Sequence, residues 1–199
     1  MTPWRRNGWE GGVALAALLC IPSRASAHLV TTGMGPVYDG IAHLLQSPDD
    51  IVPVIALALY AGLRGAAAGR RAMFLLPIAW FIGGLAGSHV PGEIAFPLPA
   101  ISFLVLGGLV AADLRMPVPA VTGLVIILGL THGFLNGAVL RAGPGTSGLI
   151  GMMAVLFVLI TLGSALVVSL KKYWSRIVVR VAGSWVAAVG LLMVGWALR

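Results

Sequence analysis

Few side chains in this chain can do metal or acid–base chemistry, and their spacing groups them. Asp39 and His43 stand four residues apart, as do His132 and Asn136, so on a helix each pair shares one face. Asp49 and Asp50 follow directly on Ser47-Pro48. A carboxylate beside an imidazole can bind a divalent cation jointly with it, or can fix the tautomer of the ligating ring. The single cysteine, Cys20, lies in an N-terminal apolar run, so the donors on offer are nitrogen and oxygen. That set suits nickel, cobalt, zinc, copper or iron. The candidate metal ligands are Asp39, His43 and His132, with His28 as an additional one through its ring and, after the cleavage described below, its free amine. Asn136 can add a carbonyl oxygen, and Asp49 and Asp50 rank below the others. No HExxH, Ser/His or Cys/His motif marks a catalytic constellation, and no cofactor-binding motif is present.

Most of these residues also have a simpler account. In "SPDD" (47–50), Ser47 reads as an N-cap, Pro48 as the first helical residue, and Asp49 and Asp50 as first-turn carboxylates facing the positive end of a helix. His43 can be satisfied by a backbone carbonyl or by Asp39. His89 and Glu93 flank Pro91-Gly92 and read as a solvated turn. Gly129, Gly133 and Gly137 form a small-residue stripe for close helix contact, which leaves His132, beside it, harder to dismiss. The six tryptophans read as interfacial or packing residues.

The elements that must position these side chains are membrane helices. Of 199 residues, 59% are hydrophobic and 10% charged, and the mean hydropathy is +0.99, far from the mix of a water-soluble domain. The net charge of +7 does not point to nucleic acid, because the basic residues are scattered between apolar runs and form no stripe with interleaved aromatics. Arg5 and Arg6, the apolar run Val13 to Ile21, and Ala25-Ser26-Ala27 read as a secretory signal peptide over 1–27, cleaved to leave His28 first. The remainder, 28–199, reads as one all-α transmembrane domain.

Six apolar segments follow, from Asp49 to Leu63, Ala72 to Ser88, Leu98 to Ala112, Val118 to Leu140, Leu149 to Leu170 and Ile177 to Leu198. The first and third are short for a span. The stretch before the first, Gly35 to Leu45, is predicted to form a re-entrant or interfacial helix. Loops carrying Arg64, Arg70, Arg71, Arg115, Lys171, Lys172 and Arg176 alternate with a loop carrying only Arg141. By the positive-inside rule this predicts a multi-pass protein of the bacterial inner membrane with the mature N-terminus and the C-terminus both periplasmic. His28, Asp39, His43, Asp49, Asp50, His89 and Glu93 then fall at the outer face, Asp113 at the inner end, and His132 deepest.

On these residues the chain resembles the HupE/UreJ family, small bacterial membrane proteins encoded with hydrogenase or urease genes and regarded as nickel or cobalt permeases. The resemblance runs over nearly the whole chain. The family's first motif, H-P-x-x-G-x-D-H, is similar to "GPVYDGIAH" at Pro36, Gly40 and His43. Gly35 replaces the first histidine, Ala42 the aspartate, and one extra residue separates Pro36 from Gly40. Asp39 stands beside the motif glycine and can supply the missing carboxylate. The later motif, H-G-x-x-H-G, reads His132-Gly133-Phe134-Leu135-Asn136-Gly137, with asparagine for its second histidine. The resemblance implies a permease that takes a divalent transition metal, nickel or cobalt, as cargo from the periplasmic side past His132. The alternative is a non-transporting accessory subunit that holds metal for a neighbouring metalloenzyme. The expected partners are the lipid bilayer, the metal ion, and a metalloenzyme or further copies of the chain.

Overall fold

A computed structural model describes residues 31–90 and 97–198. The expected signal peptide, His28 and Glu93 lie outside these described residues. Seven helices follow one another: α1 Pro36–Gln46, α2 Pro48–Arg64, α3 Ala66–Gly87, α4 Leu98–Ala112, α5 Val118–Leu140, α6 Gly145–Ser169 and α7 Tyr173–Ala197. The described residues contain no strand. The short helix expected ahead of the first apolar segment is α1, and α4 and α5 keep the bounds read from sequence. Three helices begin earlier than hydropathy suggests, since α3 takes in Arg70 and Arg71, α6 starts at Gly145 and α7 at Tyr173. A helix can run on past the apolar layer, because its backbone bonds are internal and its cationic side chains reach to the interface.

Three helices, α5, α6 and α7, are each long and apolar enough to cross a membrane. The pair α1 and α2 meets the same standard as one unit bent by 75° at Ser47, and α4 is apolar but only 15 residues long. Together these helices make a multi-pass protein embedded in a lipid bilayer.

Glycines set how closely the helices approach. Gly133 and Gly137 on α5 lie against the backbone carbonyls of Trp80 and Gly84 on α3, while Gly83 and Gly87 on α3 face those of Leu130 and Phe134. A Cβ at any of the four would collide with main chain, so these backbones are in direct contact. The stripe read from sequence is thus a two-sided α3–α5 seam. Gly107, Gly183 and Gly190 bring α4 and α7 together in the same way, and Gly40 and Gly151 do so for α1 and α6. Between them lies an apolar core that includes Leu57, Leu76, Trp80, Leu106, Met152 and Leu156.

A polar cluster ties α2, α4 and α7 at one end of the bundle. Asp113, in the left-handed conformation just past α4, pairs with Arg64 of α2 and, at 3.0 Å, with Arg176 of α7. Tyr60 Oη donates to the Leu114 carbonyl at 2.8 Å and Arg180 Nε to the Ala111 carbonyl at 2.9 Å. A helix end leaves carbonyls without internal partners. These side chains supply partners and let the short α4 stop there. The same end carries Arg70 and Arg71, the latter reaching Thr122 of α5, so the cations noted in the sequence do collect on one side.

Candidate functional site

A second polar cluster lies toward the other end, and four helices build it. His132 and Asn136 project from α5 and are buried at 1% and 4% exposure. His132 Nδ1 lies 2.8 Å from Asp50 Oδ1, and Asn136 Nδ2 donates to Asp50 Oδ2 at 3.0 Å. Asn136 Nδ2 also reaches the His132 carbonyl at 3.0 Å. On the far side of the ring, His132 Nε2 lies 2.9 Å from Ser102 Oγ of α4. Trp80 of α3 stacks on the imidazole, with ring centroids 5.6 Å apart and planes inclined by 28°.

The local sequence explains how Asp50 gets there. Asp50 sits in the first turn of α2, where the unpaired N–H groups of the helix favour a negative charge. Its carboxylate also accepts from two side-chain donors, which offsets the cost of removing it from water. Pro53, buried within α2, has no N–H to give the Asp49 carbonyl four residues earlier, so one further oxygen close to Asp50 lacks its helical partner. Asn136 Oδ1 is buried and has no hydrogen-bond partner among the described residues. Such an acceptor beside a carboxylate and an imidazole fits a cation, which would accept electron pairs from all three.

Of the residues singled out in the sequence, Asp50, His132 and Asn136 come together. Asp49 is exposed beside them. Ser47 does not cap α2 as the SPDD pattern predicts. Its hydroxyl turns back to the His43 carbonyl at 2.7 Å, stitching the bend between α1 and α2, and makes no cap bond. Asp39 and His43 do not join the cluster. Asp39 Oδ1 accepts from the Thr32 hydroxyl at 2.7 Å and the Thr32 N–H at 2.6 Å. These bonds hold the carboxylate against the segment that precedes α1. His43 is buried, with no hydrogen bond to its ring among the described residues. His89, just past the end of α3, is exposed, and its Nδ1 lies 3.0 Å from the Leu85 carbonyl of that helix. Among the described residues no three of His, Cys, Asp and Glu converge on one point.

Sequence reasoning missed Ser102 and Trp80. It also found no Ser/His pair, whereas the fold forms one, in the order Ser102, His132, Asp50. That order resembles an acyl-transfer triad, which additionally needs room for a substrate and donors for an oxyanion at the serine. The cavity of about 380 Å³ between α3 and α5 is lined by Ile82, Gly83 and Leu130 among others, and neither Ser102 nor His132 borders it.

The fold and this buried centre define a multi-pass α-helical membrane protein with an internal carboxylate–imidazole–amide site. A model of the HupE / UreJ protein family matches residues 16–193. "Protein HupE" of Rhizobium leguminosarum bv. viciae is 31% identical over 187 residues, which cover 90% of this chain and 95% of that protein. The chain belongs to the HupE / UreJ family. No solved structure matches it.

Proposed function

We propose that the protein is a permease-like, non-enzymatic member of its family that takes a divalent transition metal, nickel or cobalt, from the periplasmic side of the bacterial inner membrane. The observation that carries this reading is the convergence of Asp50, His132 and Asn136 around an acceptor oxygen with no protein partner. Asp50, the His132 imidazole and Asn136 Oδ1 are the ligands we assign to the cargo. Asp39, His43, Asp49 and, after signal cleavage, His28 form an outer approach to it. A few ligands of mixed type suit an ion that must be selected and then released.

The topology we assign has six spans over 28–199. The bent pair α1 and α2 is the first, α1 being its re-entrant part, and α3 to α7 supply the other five. The end with Arg64, Arg70, Arg71 and Arg176 faces the cytoplasm.

Proteoliposomes holding an internal chelator are expected to accumulate nickel or cobalt, and His132→Ala to abolish the accumulation. A second reading, a subunit that holds metal for a neighbouring metalloenzyme, is favoured by one observation. Between the Asp50–His132 cluster and the Asp113 cluster the described core is apolar. Metal bound by the protein with no internal accumulation, unaffected by His132→Ala, would select that reading and refute transport.

A further inference from the structure

At the end of the bundle fastened by Asp113, most of the helical arginines have partners. Arg64 and Arg176 share Asp113, the one carboxylate described at that end, Arg180 donates to the Ala111 carbonyl, and Arg71 reaches Thr122. Arg70 is different. It is exposed, makes no hydrogen bond or ion pair among the described residues, and borders a cavity.

That cavity, of about 280 Å³, is a groove along the α3–α6 seam between Gly69, Arg70 and Met73 on one helix and Thr161, Ser164 and Ala165 on the other. Its shape follows from residue size. A Cβ on Gly69 would stand 3.1 Å from Ser164 Oγ, so the two helices are close at the back of the groove, while Ala66 and Ala165 are exposed at its mouth and too small to fill it. About one turn deeper, Phe74 and Phe157 meet across the seam with ring centroids 5.9 Å apart. From Ala66 to Met73 a helix rises roughly 10 Å, about two-thirds of the ~15 Å of hydrocarbon in one leaflet. The hydroxyls of Thr161, Ser164 and Ser169 all donate to carbonyls of their own helix, which leaves the Arg70 guanidinium as the uncommitted donor of the lining.

What surrounds this face of a membrane protein is lipid. An unfilled apolar groove forfeits dispersion contacts on one side, and an acyl chain restores them. An arginine at the mouth adds a charge requirement, because its fork matches a phosphate and basic pockets between membrane helices favour anionic headgroups. We propose that the α3–α6 groove binds one anionic phospholipid, an acyl chain lying against Gly69, Met73 and Ala165 and the headgroup phosphate held by Arg70. The site is independent of the metal reading given above. The cavity between α3 and α5 has no charged residue in its lining and supplies the contrast, a place for an acyl chain with no headgroup preference.

The test takes the full chain from nanodiscs of equal parts phosphatidylglycerol and phosphatidylcholine and identifies the lipid it retains by native mass spectrometry. Phosphatidylcholine carries the same phosphate with a compensating ammonium, so one phosphatidylglycerol is expected to be retained in preference. Arg70→Gln should lower that preference by about five- to tenfold, and Arg70→Lys, which keeps the charge without the fork, by less. Arg71→Gln removes the same charge one residue away and should change it by less than about twofold. Ala165→Phe fills the groove from its exposed side and should abolish retention of that lipid. Arg70 and Ala165 are both exposed, so these replacements leave the core packing in place. Equal effects at positions 70 and 71 would refer the preference to general surface charge and overturn the site. Retention unchanged by Ala165→Phe, or displacement of the lipid by excess inorganic phosphate, would overturn it as well.

Discussion

Adjacent carboxylates offer a sharp test of how this membrane protein uses its "SPDD" turn. If Asp49 and Asp50 serve only to face the start of α2, each contributes about 0.3–1 kcal/mol through the helix dipole, and replacing either has the same small effect. The structure separates them. Asp49 is exposed, whereas the Asp50 side chain retains 13% exposure and accepts from His132 Nδ1 and Asn136 Nδ2. Asp50→Ala leaves His132 Nδ1 buried without a partner, at about 1–3 kcal/mol, and Asn136 Nδ2 with only the His132 carbonyl, at less, so the expected loss is about 1–4 kcal/mol. Asp49→Ala should cost under about 1 kcal/mol. Asp50→Asn keeps the shape and one acceptor but turns an N–H₂ toward the other donor, so it should fall between. The measurement is reversible unfolding by sodium dodecyl sulfate in mixed micelles, with the three variants compared in one preparation. Equal losses at 49 and 50, or a harmless Asp50→Ala, would refute the placement of Asp50 in the buried centre.

Further outcomes follow from the rest of the fold. Arg64 has only 5% of its side chain exposed against Asp113, while Arg176 has 43%. Asp113→Asn suits the left-handed backbone but strands the Arg64 charge, costing about 3–5 kcal/mol, whereas Arg176→Ala should cost under about 1 kcal/mol in the same unfolding assay. Gly137→Ala drives a Cβ into the Gly84 carbonyl and should part α3 from α5, while Gly123→Ala, with nothing within 4 Å, should be neutral or slightly stabilising; disulfide cross-linking across the α3–α5 seam reads both. Asp39 accepts from the Thr32 N–H and hydroxyl, so hydrogen exchange at the Thr32 amide should speed up in Asp39→Ala, and an unchanged rate would contradict the contact. Trp80 stacks on His132, so quenching of tryptophan fluorescence by Ni²⁺ should largely disappear in Trp80→Phe.

How much of this was legible in the sequence depends on the range of each interaction. The bounds of α4 and α5 follow from hydropathy and flanking prolines, and the four-residue spacing of His132 and Asn136 is a local fact that the helix preserves. Asp50 carries little signal in the sequence because a Ser-Pro-Asp-Asp start has a complete local explanation. Its partner is 82 residues away, and only the α1–α2 bend and the packing of α5 bring them together. Ser102 looked like a lone hydroxyl in "LPAISFLVL", and its partner is 30 residues distant. Asp39 and His43 share a helix as their spacing predicts, but the carboxylate turned to Thr32, before the helix, which no periodicity records.

The helices also divide into units with different stiffness, and the polar centre lies on the division. Close backbone contact locks α3 to α5 and α4 to α7, and such seams do not deform gradually. By contrast α5 touches α2 and α4 only sparsely. The bonds from His132 and Asn136 to Asp50, and from His132 to Ser102, cross that sparse boundary. At the opposite end α2, α4 and α7 are fastened to one another by Arg64, Asp113 and Arg176. On the transport reading, a shift of the α3–α5 pair against α4 and α7 leaves the α3–α5 and α4–α7 glycine seams whole and breaks the His132–Ser102 contact, while α2 and α6, which pack on α3 and on each other, have to slide with it. The groups assigned to hold the ion are therefore among the few contacts that α5 makes with α2, and an ion that replaces those bonds would change how α5 sits against α2 directly.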